Sequence, residues 1–99
     1  MEKIWLKQYP AGVPAEVKTD VYPSLVALLD ESFRKHAKLP AYRFMGKTFS
    51  FEQVDDLSRA FAAYLQSLGL ARGDRVAVML PNVPQYPVAV AGILRAGLV

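Results

Sequence analysis

The last third of the chain most constrains what it can fold into. Val76, Ala77, Val78, Met79 and Leu80 are apolar without alternation, and Pro81 ends the run. A strand with one wet face alternates apolar and polar residues, whereas a strand covered on both faces does not. The run therefore predicts a strand buried between two layers, as in a parallel sheet. Val88 to Leu94 is apolar all round and predicts a helix covered on most sides. Asn82 can cap it, and Pro84 and Pro87 suit a first helical turn. Gly97 ends the helix, and Leu98-Val99 reads as the start of another buried strand. Strand, helix and strand in that order form a parallel crossover. The expectation is a chain that stops where a strand of a longer α/β sheet begins, with no polar tail or cap after it.

Upstream, residues 1–22 hold Pro10, Gly12 and Pro14 without a clean period and read as an extended arm. Ile4, Trp5, Leu6 and Tyr9 are too apolar for a free tail, so the arm is expected to dock on its own domain or on a neighbouring subunit. Residues 23–99 form the expected incomplete α/β subdomain. In it, Ser24 is a good N-cap, because its hydroxyl can accept a free backbone N–H. Leu25, Leu28, Leu29 and Phe33 then share one helical face. Asp30–Arg34 and Glu31–Lys35 are i, i+4 pairs of the favoured sense, and Pro40 stops the helix. Tyr42, Phe44, Phe49 and Phe51 flank Met45-Gly46-Lys47 and predict a β-hairpin. The next helix opens with a capping box, Ser50 with Gln53. Val54, Leu57, Phe61, Leu65 and Leu68 make its expected buried stripe, and Gly69 its stop. The predicted order is helix, hairpin, helix, strand, helix and a strand begun.

Several function classes drop out. Twelve basic and nine acidic residues give a net charge of +3, a mild and scattered excess. Arg34, Lys35, His36 and Lys38 form the tightest basic group, and it reads as the solvated end of a helix, where cations suit the dipole. A nucleic-acid partner is therefore not expected. The chain has no cysteine and one histidine, which leaves neither a disulfide frame nor a zinc site. The first ten residues lack the apolar core of a signal peptide, and Val88–Leu94 is too short to cross a bilayer. The expected location is cytoplasmic, with membrane contact only from the side.

The search for chemistry finds scaffold. Gly69 and Gly73 precede the buried strand, whereas the glycines of a dinucleotide fingerprint follow it. Neither standard phosphate-loop spacing is present. Ser24, Ser32, Ser50, Ser58 and Ser67 fall on helices or caps, without the elbow of a hydrolase nucleophile. Glu31 and His36 lie on polar faces with no second partner. No residue of 1–99 is assigned a catalytic, cofactor-binding or metal-binding role.

The order of these pieces carries a resemblance. The Gly46 hairpin, the Ser50 capping box, Gly69-x-x-x-Gly73-Asp74-Arg75-Val76-Ala77-Val78 and Leu80-Pro81-Asn82 resemble the amino-terminal opening of the adenylate-forming acyl-CoA synthetases. The arm MEKIWLKQYPAGVPAEV extends the likeness toward the bacterial long-chain-fatty-acid–CoA ligases. The resemblance implies the amino-terminal part of the large α/β domain of a larger enzyme. That enzyme would join a fatty acid carboxylate to ATP as an acyl-adenylate, releasing diphosphate, and coenzyme A would then displace AMP. ATP, Mg2+ and coenzyme A are thus implied for the parent, and no cofactor for this piece. The family's phosphate loop, adenine-binding aromatic motif, ribose-binding aspartate and carboxy-terminal lysine match nothing before Val99, so none of their roles is carried over. The remaining polypeptide is one expected partner. Self-association through the arm or an exposed apolar surface, giving a homodimer, is another. Alternatives are a synthetase for other acids, such as aryl or medium-chain ones, and a stand-alone interaction module.

Overall fold

The computed structural model describes residues 2–99; Met1, the first residue of the expected arm, lies outside them. After a short 3-10 helix at Ile4–Gln8 the order is α1 (Leu25–His36), β1 (Pro40–Phe44), β2 (Lys47–Ser50), α2 (Phe51–Ser67) and α3 (Gln85–Arg95). Local chemistry sets most of these boundaries. The Ser24 hydroxyl accepts the Ala27 N–H at 3.1 Å and starts α1. The α2 box closes in both directions: Ser50 Oγ accepts from the Gln53 N–H, and Gln53 Oε1 accepts from the Ser50 N–H. Gly69, at φ +75°, follows the end of α2 in the left-handed conformation that only glycine adopts cheaply. Between β1 and β2, Met45 and Gly46 have φ of +46° and +79°, the signature of a tight primed hairpin turn. The strands pair antiparallel, Tyr42 opposite Phe49 and Phe44 opposite Lys47, with a register shift between Pro40 and Tyr42.

The helices pack around two small apolar clusters. Phe33, Val54 and Ala91 form one, flanked by Leu29, Phe49, Phe51 and Val88. Leu65, Ile93 and Leu98 form the other, flanked by Phe61, Val76 and Val78. The α2 stripe is rotated from the expected one. Val54, Ser58, Ala62 and Leu65 are buried, while Leu57 and Leu68 are about half exposed. A small face wins because α3 approaches closely there. Ala91 and Gly92 are both buried, and a Cβ on Gly92 would stand 3.0 Å from the Ser58 carbonyl oxygen.

The expected strand over Val76–Leu80 is extended chain without a ladder. Val76 and Val78 pack inward, while Met79 is 96% exposed and Leu80 is also exposed. The burial on both faces expected from its apolar run is absent, because no second layer lies over its outer face among the described residues. The crossover survives in outline. Val76 N–H donates to the Val99 carbonyl at 2.8 Å, and Val99 N–H donates to the Asp74 carbonyl at 2.9 Å. Those two bonds straddling Arg75 are the pattern of a parallel pair. Leu98 is buried and Val99 is exposed. Pro84, not Asn82, occupies the α3 N-cap, and no side chain caps that end.

The whole is open. Its radius of gyration is 17.5 Å, where about 13 Å is usual for a compact domain of this size. Its 7938 Å² of accessible surface exceeds the ~5600 Å² expected of a folded monomer of 11.0 kDa. The 3-10 helix packs on none of the other elements, and Ile4, Trp5 and Tyr9 stay exposed.

Candidate functional site

Arg95 closes α3, and its side chain is only 14% exposed. Nη2 lies 2.5 Å from Asp30 Oδ1 on α1, and Nη1 lies 2.7 Å from Asp55 Oδ1 on α2. Nη1 also donates to Ser58 Oγ at 2.9 Å, and Ser58 in turn donates to the Asp55 carbonyl. The guanidinium sits 5.6 Å from the centroid of the Phe33 ring, within cation–π range. Asp30 was expected to pair with Arg34 one turn away. It reaches Arg95 instead, because a buried guanidinium draws on every acceptor within range. Among the described residues, no buried side-chain nitrogen or oxygen lacks a partner. A node of this kind ties three helices together, its guanidinium committed to acceptors of the protein itself.

The other charged candidates are dispersed. Lys38 pairs with Glu52 at 2.5 Å, and the His36 ring tilts against Phe51 at 5.7 Å. Glu31 faces Tyr22, and its negative charge, with desolvation and a hydrogen bond, raises the Tyr22 phenol above its ordinary pKa. Ser24 and Ser50 are caps, Ser58 serves Arg95, and Ser67 donates to the Tyr64 carbonyl. The hollow between α1 and α2 gathers Asp30, Glu31, Glu52, Asp55 and Asp56 with Arg34 and Arg59. Arg59 is bonded to both Asp55 oxygens there. Among the described residues, no three His, Cys, Asp or Glu side chains come together to hold a metal ion. The glycines with positive φ in the folded part stand singly at turns and build no phosphate cradle.

A second concavity is apolar. A groove of about 600 Å³ runs between α1, the hairpin and the start of α3. Leu25, Phe33, Tyr42, Phe44 and Tyr86 line it, with Arg43 and Asn82 as polar groups on its wall. It has the size of a ligand pocket but lacks convergent titratable groups. The sequence reading did not single out Arg95 or this groove. A lone cation ending an apolar helix was the available signal for Arg95; the groove arises from three distant segments and has none.

Comparison with known proteins settles the family. The AMP-binding enzyme family matches residues 29–99. The chain belongs to that family. Its AMP-binding relatives include a long-chain-fatty-acid–CoA ligase of Yersinia pestis, 52% identical over 100 aligned positions that cover 100% of this chain and 18% of that protein. A ligase of the same name from Bacillus subtilis is 38% identical over 96 positions, covering 97% of this chain and 17% of that protein. An adenylate-forming reductase of Coprinopsis cinerea is 34% identical over 90 positions, 87% of this chain and 8% of that protein. The chain thus spans less than a fifth of the length of the ligases it matches. The mixed helical architecture with a small antiparallel hairpin is an amino-terminal portion of an AMP-binding domain, as the order of motifs implied. No helix among the described residues is long and apolar enough to cross a membrane.

Proposed function

We propose that this chain is the amino-terminal scaffold of a long-chain fatty acid–CoA ligase. The whole protein would join a fatty acid to coenzyme A with ATP, giving acyl-CoA, AMP and diphosphate. The observation that carries this reading is likeness along the full chain, 52% to the Yersinia pestis ligase. The open surface supports it. The excess of accessible area over a closed globule is larger than the ~800 Å² one partner contributes to a standard interface. More polypeptide is the natural cover, and the bare outer face of Val76–Leu80 is where it would pack. Magnesium, ATP and coenzyme A belong to that further polypeptide in this reading. The residues here supply rigidity: the Arg95 node fixes three helices, and the Arg75–Val99 pairing presents an edge for strands to extend. The proposed location is cytoplasmic, with the inner membrane face touched from the side.

The test uses the 99-residue chain beside the same chain extended by the coding sequence that follows it. The extended protein is expected to form acyl-CoA from palmitate, ATP and coenzyme A, and the short chain to bind no ATP by calorimetry. A stop codon directly after Val99 would sink the proposal in favour of an interaction module. Micromolar ATP binding by the short chain would sink the scaffold role. Octanoate or benzoate turning over faster than palmitate would leave the enzyme class standing and correct the acid.

A further inference from the structure

Two unsatisfied apolar surfaces stand on this one chain. The first is the groove between α1, the hairpin and α3, where Tyr42, Phe44 and Tyr86 remain 38–45% exposed. The second is the arm, where Ile4, Trp5 and Tyr9 are 42–64% exposed and the 3-10 helix packs on no other element. We propose that the segment Ile4–Tyr9 seats in the groove of its own chain, with Trp5 as anchor.

Reach permits it. The arm joins α1 at Leu25, which is itself a wall of the groove. Residues 10–24 can span ~50 Å when extended, as long as the molecule's largest dimension of 51 Å. A short tether also gives an effective concentration of order mM, which a second copy must exceed to compete. Little holds the arm away. The one short ion pair among its described residues, Lys3–Glu16 at 2.7 Å, is 49% and 78% exposed, and exposed pairs contribute little.

The chemistry of the groove favours this occupant. Its walls are aromatic and aliphatic, and Arg43 on the wall has no ion pair among the described residues. An indole face is the best cation–π partner for a guanidinium. The arm's described charges, Glu2, Glu16 and Asp20 against Lys3, Lys7 and Lys18, cancel. That balance gives an anionic membrane no purchase on the arm.

Trp5 is the chain's one tryptophan, so its fluorescence reads the arm alone. In the native chain Trp5 is expected to be blue-shifted and quenched severalfold less by acrylamide than in urea, unchanged across a wide dilution series. Phe44→Glu, at a surface position, should restore urea-like quenching while circular dichroism stays native. If that variant unfolds, the pair Ile4→Cys with Tyr86→Cys decides, since it keeps the Trp5 anchor and the chain has no cysteine of its own. An intramolecular disulfide in the monomer supports the seat, and its absence overturns it. Urea-like quenching in the native chain overturns the proposal. So does protection that disappears on dilution with a dimeric mass, which makes a second copy the occupant.

Discussion

Burying a guanidinium costs free energy unless each of its N–H groups finds an acceptor. Arg95 offsets much of that cost with two carboxylates and a hydroxyl from two other helices. Replacing it by Ala leaves Asp55, 20% exposed, with only the exposed Arg59 as its cation. A loss of about 3 kcal/mol is expected, at the low end for broken buried pairs because Asp30 is half exposed. Arg95→Lys keeps the charge but cannot fork between Asp30 and Asp55. Urea unfolding should show about half that loss for Lys, roughly one charge-assisted hydrogen bond. A Lys variant as stable as the parent would mean the fork is unimportant. Gly92 sets a second residue-scale limit. A Cβ there would lie 2.8 Å from Phe61 Cδ1 and 3.0 Å from the Ser58 carbonyl. Ala gains about 1 kcal/mol in helix propensity, but overpacking costs about 1–3 kcal/mol. The backbone contact cannot yield as a side chain could, so Gly92→Ala should lower the midpoint for thermal unfolding.

Elements ruled by local chemistry were legible in the sequence, and those ruled by packing were not. Ser24, the Ser50–Gln53 box, the turn at Gly46 and the stop at Gly69 stand where residue type alone put them. Ser50→Ala should therefore cost about 1 kcal/mol in chemical denaturation. The turn offers a gain. Met45 holds φ +46° with its side chain 87% exposed, so Met45→Asn relieves strain and loses no packing. About 0.5 kcal/mol of stabilisation is expected, since non-glycine residues pay roughly 1–2 kcal/mol in that region and Asn less. The α2 stripe was misread because spacing reports which residues are apolar, whereas Gly92 decides how closely α3 approaches. Ser58, a polar residue inside the true stripe, falls outside any apolar spacing, and its partner Arg95 comes from 37 positions away. The groove was invisible for the same reason: Leu25, Phe44 and Tyr86 meet only in three dimensions.

At the scale of the whole molecule, the run Val76–Leu80 carries the argument. Its lack of alternation predicted cover on both faces, and the chain covers one. On the proposed reading the cover is further polypeptide, and the free energy of covering Met79 and Leu80 is gained there. Met79 at 96% exposure, beside an edge that pairs once at Arg75–Val99, is an adhesive surface. The isolated chain should bind a hydrophobic dye and sediment with a concentration-dependent mass. Met79→Lys should reduce both, because a charge on an exposed edge opposes association while no inward contact is lost. The same substitution in the extended protein should be destabilising, since the position is then buried under the added layer. Opposite signs in the two contexts are what an internal face predicts. A surface meant for water would give no penalty in either.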